Sequence, residues 1–224
     1  PKIDIDPEWE MVELESVVYF QEGPGIMKKD FRDSGTPVVR LAGLGGEFAT
    51  LQKCNYVSNS LADSKWNHFK LRVGDLLVST SASFGRPSRV DQTTEGSLFY
   101  TGIIRFRSNA KILDDNYLLL YLGSDEFLDQ ANRFATGIAI KHFGPTHLKQ
   151  MKIIIPPIEE QARLVERVAK EQALVNANKQ LIEIFEQKIK DRIAKVWGEE
   201  GKPVEEELPM AAEPKTHYKK VKME

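Results

Sequence analysis

Cations and small hydroxyl side chains gathered on glycine-spaced segments are the chemistry this chain offers. Ser79, Thr80, Ser81 and Ser83 lead to Arg86 and Arg89 around Gly85. Lys28, Lys29, Arg32 and Arg40 lie in a loop-like stretch that also holds Gly23, Pro24, Gly25, Gly35 and Pro37. Lys141 and His142 lie in a third loop, Thr136 to His147. Phosphate oxygens are held by Lys, Arg, hydroxyl and backbone donors, whereas base edges call for forked or bidentate side chains. Arg86, Lys141 and His142 are the first candidates for nucleic-acid contact, followed by Lys28, Arg32, Ser81 and Ser83, with Arg40 and Arg89 completing the set. Plainer readings stand beside these: Ser79 and Thr80 finish a strand, His142 caps a turn, and Lys28 and Lys29 form a solvated loop tip. Arg105 and Arg107 alternate with Ile104 and Phe106 and are expected to face solvent, so they stay outside the candidate set.

The whole-chain charge of −2 hides an uneven distribution. Residues 1–22 carry seven acids against Lys2, while residues 23–157 hold 17 Lys/Arg against 12 Asp/Glu. From Gln130 to Ile158 there is no acid, but Arg133, Lys141, Lys149 and Lys152 are present with His142 and His147. A local excess of this kind attracts phosphate whatever the net charge, and it also describes an ordinary solvated face.

Other chemistries find little support. One cysteine, Cys54, excludes an internal disulfide framework and a cysteine-based zinc site. The four histidines lack metal-ligand spacing. Adenine methyltransferases hold the flipped base with Asn/Asp-Pro-Pro-Tyr/Phe, whereas Pro156-Pro157 lies between Ile155 and Ile158. Gly43-Leu44-Gly45-Gly46 lacks the Lys-Ser/Thr of a phosphate loop. No nuclease cluster or Ser-His-Asp arrangement emerges from the spacing, and no apolar run approaches the roughly 20 residues needed to span a bilayer. The cytoplasm is the default expectation.

The elements that must carry the loops are mixed. PEWEMVELESVVYF reads as a lead-in strand or short helix that docks Trp9 on the core. PVVRLAGL reads as a buried strand, Gly74-Asp75 as a turn launching LLVST, and SLFYTGIIRFRS as a further strand. Asp114 or Asp115 caps a helix over NYLLLYLGS, and Ser124 caps a second over DEFLDQANRFA. MKIIIP is a last strand, closed by the double proline. The expected class is α+β: a globular domain over 1–157, a long helix over 158–198 and a flexible tail over 199–224. In that helix Val168, Val175, Ile182, Ile189 and Val196 recur every seven residues, flanked by Leu174, Leu181 and Phe185. One strict column with a broad flank suits an antiparallel helix pair.

Four pieces in order resemble one half of the DNA-specificity subunit of type I restriction-modification enzymes, over roughly residues 9–198. Trp9 to Leu14 is similar to the family's opening W-x-x-V-x-L, and Gly74-Asp75-Leu76-Leu77 through Gly85-Arg86 to its G-D-[IL]-L region, with Ala82 where many members have glycine. Gly137 to Leu148 resembles the glycine-rich loop before the last strand, and Ile155 to Gln161 the I-P-x-P-P-x-x-E-Q hinge. The resemblance implies a non-catalytic subunit that reads double-stranded DNA. Partner modification subunits, which bind S-adenosylmethionine, would methylate adenine, and a restriction subunit is a further partner. This chain would bind no cofactor itself. One reading domain and one long helix imply either a fragment or a half-subunit that dimerises through the helix. The rival reading is a coiled-coil scaffold whose head binds protein.

Overall fold

A computed structural model describes residues 8–80, 87–134 and 143–197. Strand β1 (Glu10–Glu13), a single helical turn α1 (Leu14–Val17) and β2 (Val18–Glu22) come first. A 3-10 turn at Lys28–Asp30 leads to β3 (Phe31–Arg32) and β4 (Thr36–Val39), and a second at Leu41–Gly43 to β5 (Asn55–Val57). Helix α2 (Asn59–Lys65) and a turn at Asn67–Phe69 precede β6 (Leu76–Ser79), β7 (Ser88–Arg89), β8 (Leu98–Phe99) and β9 (Ile103–Ser108). Helices α3 (Asp115–Leu122), α4 (Asp125–Phe134) and α5 (Pro145–Leu148) then lead to β10 (Lys152–Ile155) and the long α6 (Ile158–Val196). The architecture is mixed α+β followed by a long C-terminal helix. The chain divides into two compact units, one ending at Glu171 and one beginning at Gln172.

Among the described residues the strands form three sheets, ordered β1-β10, β2-β9-β6-β7 and β3-β5-β4-β8. The pairing of β1 with β10 joins the start of the head to the segment that feeds α6, with Glu10 opposite Ile155 and Glu13 opposite Lys152. Period-two alternation loads both faces of the central sheet. Leu76, Val78, Ile104 and Phe106 enter a core with Leu14, Leu118, Phe127 and Ile153, while Leu77 and Ile103 enter another with Val39, Leu71 and Phe99. A third core, under the β3-β5-β4-β8 sheet, packs Ile26, Val38, Val57 and Trp66 around Leu98.

That two-sided burial corrects the expectation for Arg105 and Arg107. The face of β9 that carries Ile103 and Arg105 meets the second core rather than solvent, and Arg105 is only 1% exposed, while Arg107 near the strand's end is 27% exposed. Its guanidinium donates to the Lys70 carbonyl at 3.0 Å, the His68 carbonyl at 3.1 Å and the Gln21 side chain, with the Asp75 carboxylate 3.9 Å away. Asp75, itself buried, accepts from Arg107 Nε and from Arg107 Nη2 at 2.8 Å, and from the Arg72 amide at 2.9 Å. Burial pushes Arg105 below the ordinary arginine range, with Arg107 adding to the effect and Asp75 opposing it. The hydrogen bond to Asp75 raises Arg107. These arginines knit β9 to the Gly74-Asp75 turn.

Two further segments differ from the sequence reading. SLFYTGIIRFRS is two strands: β8 pairs in parallel with β4, β9 pairs with β2 and β6, and Gly102 (φ +81°) turns the chain between sheets. PVVRLAGL is strand only to Val39 and then turns at Leu41. The helix caps fall where expected: Asp114 Oδ1 accepts from the amides of Asn116 (2.8 Å) and Tyr117 (3.1 Å), and Ser124 Oγ from that of Phe127 (3.2 Å).

Helices α3 and α4 are held to β10 by buried polar groups. Tyr117 donates to the Ile154 carbonyl at 3.0 Å and Tyr121 to the Lys152 carbonyl at 2.9 Å, while Gln130 both donates to that carbonyl and accepts from the Lys152 amide. Burial pushes the Tyr117 phenol up to about 12 and raises Tyr121 as well. An unfolded tyrosine ionises near 10. The stability tied to these phenols is therefore complete below about pH 10 and is lost as pH climbs through the folded value. Urea unfolding measured between pH 8 and 11.5 should show this alkaline loss. Tyr117→Phe should weaken the pH dependence while costing about 1 kcal/mol at neutral pH for the lost hydrogen bond. An identical alkaline slope in that variant would contradict the assignment.

Candidate nucleic-acid interface

Gly23 begins the first basic segment because nothing larger fits. A Cβ there would lie 2.3 Å from the Tyr100 carbonyl oxygen and 2.6 Å from that of Phe99. This close approach sets the following turn against the β8–β9 connection, where the Gly23 amide donates to the Ile103 carbonyl at 3.0 Å. The stretch is more structured than a loop: Lys28 and Lys29 are exposed on the 3-10 turn, and Arg32 is exposed on β3. Arg32 Nη1 donates to the Lys29 carbonyl at 2.8 Å and the Phe31 carbonyl at 2.7 Å, which folds its guanidinium back beside the two lysines. Arg40, half-buried at the end of β4, lies over the Tyr100 ring, 3.9 Å from its centroid. Tyr100 also donates its hydroxyl to the Ile26 carbonyl at 3.4 Å and packs its ring 6.2 Å from Phe31. Arg40 is thus set on an aromatic post, Tyr100, which also packs on Phe31, the neighbour of Arg32.

Arg89 stands on β7, in the central sheet. Its Nη2 donates to Asn116 Oδ1 at 2.8 Å, in the first turn of α3, which orients the fork while leaving its other N–H groups to act as donors. Asn116 was not foreseen, since a partner 27 residues away leaves no local signal. Arg86, Ser81, Ser83, Lys141 and His142 lie outside the described residues.

Two cations of the acid-free stretch are less available than its composition implies. Lys149 pairs with Glu15 at 3.0 Å, and Arg133 lies 4.0 Å from Glu126. His147 Nδ1 accepts from the Gly144 amide at 3.1 Å and its ring stacks on Phe143, so it caps the turn that starts α5. The missing acids come from other segments. Among the described residues no group of His, Cys, Asp and Glu is arranged to hold a metal, and no described helix is long and apolar enough to cross a membrane.

Helix α6 supplies a feature of another kind. Gln161 is fully buried and Leu164 and Val165 pack on the main core, but the repeating column is open. Val168 is half-buried, Val175 is 46% exposed, Ile182 57%, Ile189 59% and Val196 76%. Leu174, Leu181 and Phe185 are exposed beside them.

Comparison with known proteins bears on both features. The chain is 21% identical over 169 residues to the type I restriction enzyme MjaVIII specificity subunit of Methanocaldococcus jannaschii, matching 74% of this chain and 40% of that one. A solved chain from work on assembly and conformational transition of the type I R-M system matches with a TM-score of 0.64 and 22% identity, over 85% of this chain and 45% of the other. The HsdS subunit from Thermoanaerobacter tengcongensis matches with a TM-score of 0.58 and 22% identity, over 81% and 41% of the two chains. The chain spans less than half the length of the curated relatives it matches. Residues 7–187 match the family described as type I restriction modification DNA specificity domain, and the chain belongs to that family.

Proposed function

We propose that this chain reads one half of a two-part DNA site and pairs with a second copy of itself through α6, directing adenine methylation by partner subunits. The observation that carries the reading is the open apolar column of α6 behind a head of this family. In this reading residues 1–157 are the reader and residues 158–198 the pairing helix. Val168, Val175, Ile182, Ile189 and Val196 form the seam of an antiparallel helix pair. The helix of 39 residues is about 58 Å long, enough to hold two heads well apart. A two-fold dimer presents identical readers, and identical readers require an inverted repeat with an unread spacer.

Lys28, Lys29, Arg32 and Arg40, together with Arg89, are the described part of the proposed DNA face, and Arg86, Lys141, His142, Ser81 and Ser83 would complete it. The chemistry belongs to the partners: modification subunits bring S-adenosylmethionine, and a restriction subunit adds cleavage where one is present. Coexpression with a modification subunit, followed by genome-wide mapping of methylated adenines, tests this. A spaced inverted repeat supports the dimer of readers, an asymmetric two-part site would remove the homodimer, and no methylation with no complex would remove the reading altogether.

Phosphate and base contacts separate by salt and sequence dependence. Lys28→Ala or Arg32→Ala should weaken binding to all sequences alike and reduce the salt slope by about one. Arg89→Ala, if its fork reads guanine, should cost about 1–3 kcal/mol at one base position. Titrations of the assembled complex at several salt concentrations, on cognate and substituted duplexes, measure both, and unchanged binding in all three variants would discard this face.

A further inference from the structure

We infer that Gln161 is a positioning residue: its side-chain amide locks the base of α6 to the head, sets the direction in which the helix leaves, and so fixes the spacer length the dimer accepts. This inference rests on the proposed function, since the spacer has meaning only if two heads are joined through α6.

Gln161 is the exception in its helix, fully buried where the turns that follow are largely exposed. Its Oε1 accepts from the Asp114 amide at 2.8 Å, and its Nε2 donates to the Ile112 carbonyl and the Pro156 carbonyl, each at 2.9 Å. One amide therefore joins three pieces of chain: the β9–α3 connection, the β10–α6 connection and the helix itself. The apolar contacts of Leu164 and Val165 with the core hold the helix but are non-directional. Three hydrogen bonds of ordinary length add the direction. The clamp also reaches a candidate reader, because Asp114 caps α3 and Asn116, two residues on, holds Arg89.

The geometry of DNA makes such a clamp a specificity device. Adding one base pair to a spacer moves a half-site by about 3.4 Å and rotates it by about 35°. A helix rigidly set on its head satisfies one combination of distance and phase, and a loosened base satisfies neighbouring ones.

The test uses the complete chain with Cys54→Ser and nitroxide labels at Gln92 and Ala169, diluted into unlabelled protein, with distances read by double electron–electron resonance. The parent should give a narrow distribution, and Gln161→Leu, which cannot make the three bonds, should at least double its width. Gln161→Glu covers the case in which Gln161→Leu fails to fold. Its carboxyl, kept neutral at pH 5, preserves the acceptor and one donor, whereas ionisation sets it against two carbonyls. Its distribution should be narrow at pH 5 and broaden reversibly toward pH 8. In parallel, the coexpressed modification complex is offered a library of fixed half-sites with varied spacers. Gln161→Leu should raise methylation at spacers one base pair longer or shorter at least tenfold relative to the parent, with the half-site sequence unchanged. Unchanged widths in both variants, or broadened widths with an unchanged spacer profile, would overturn the inference. A parent that methylates nothing would overturn the DNA reading instead, while the distance distributions still decide whether Gln161 is a clamp.

Discussion

Asp75→Ala will lower the folding stability of the head by about 3–5 kcal/mol, because it strips the counter-ion from two arginines at once. Arg105 is 1% exposed, so the charge left on it has no ready access to water, while Arg107, 27% exposed, keeps partial access. Arg107 loses its two-point contact, and the Arg72 amide loses the acceptor that holds the turn before β6. For a domain of this size the loss corresponds to a fall in Tm of about 6–20 °C. Pairing the change with Arg105→Met should recover a large part of it, since replacing both members of a buried pair by apolar groups is often close to neutral. Denaturant unfolding of the two single variants and the double variant measures the coupling. A cost for Asp75→Ala below about 1 kcal/mol, or simple additivity in the double variant, would show that the pair does not hold β9 to the turn.

The same residues mark how far the sequence could be read. Gly74-Asp75 was legible as a turn, because Gly74 needs a positive φ (+92°) and a run of β-branched and apolar residues follows. That Asp75 is also a buried anion was not legible, since its partner Arg107 lies 32 residues on in another strand. Alternation correctly grouped Ile104 with Phe106 against Arg105 with Arg107. Which face meets water depends on what covers the sheet, and that is a tertiary fact. The helix caps at Asp114 and Ser124 were legible because capping is local. Helix α2 was not anticipated, although Ser58 caps it by accepting from the Leu61 amide at 3.3 Å. Its short segment has no clear apolar period, and it is held by Ala62 and Trp66 packing into the third core. The candidate interface divides in the same way. Its cations could be named from their types, but the Tyr100 post, the Asn116 brace and Glu15, the acid paired with Lys149, come from segments that only folding brings near.

Ile182→Glu combined with Ile189→Glu will convert the proposed dimer to monomer, raising its dissociation constant at least about a hundredfold. Burying a side chain of this size contributes roughly 1.5–3 kcal/mol, and a two-fold interface counts each substitution twice. Losing about 1 kcal/mol at each of the four resulting positions already exceeds the roughly 2.8 kcal/mol that a hundredfold change requires. Both side chains are more than half exposed in the single chain, so the substitutions remove nothing that the helix needs within its own copy. Glutamate is also a strong helix former, and helicity measured by circular dichroism should persist. The control is Gln180→Glu with Gln187→Glu, which adds the same two charges on the opposite face of the helical period and should leave the dimer intact. Sedimentation equilibrium separates the two pairs, and methylation by the coexpressed modification subunit should disappear only with the first. A head that has lost its twin retains its cations and its fold but can engage one half-site only, so affinity for a single half-site should survive in the monomer. A dimer that persists in the Ile182→Glu, Ile189→Glu protein, or a parent that sediments as a monomer, would mean that the apolar column of α6 serves another partner.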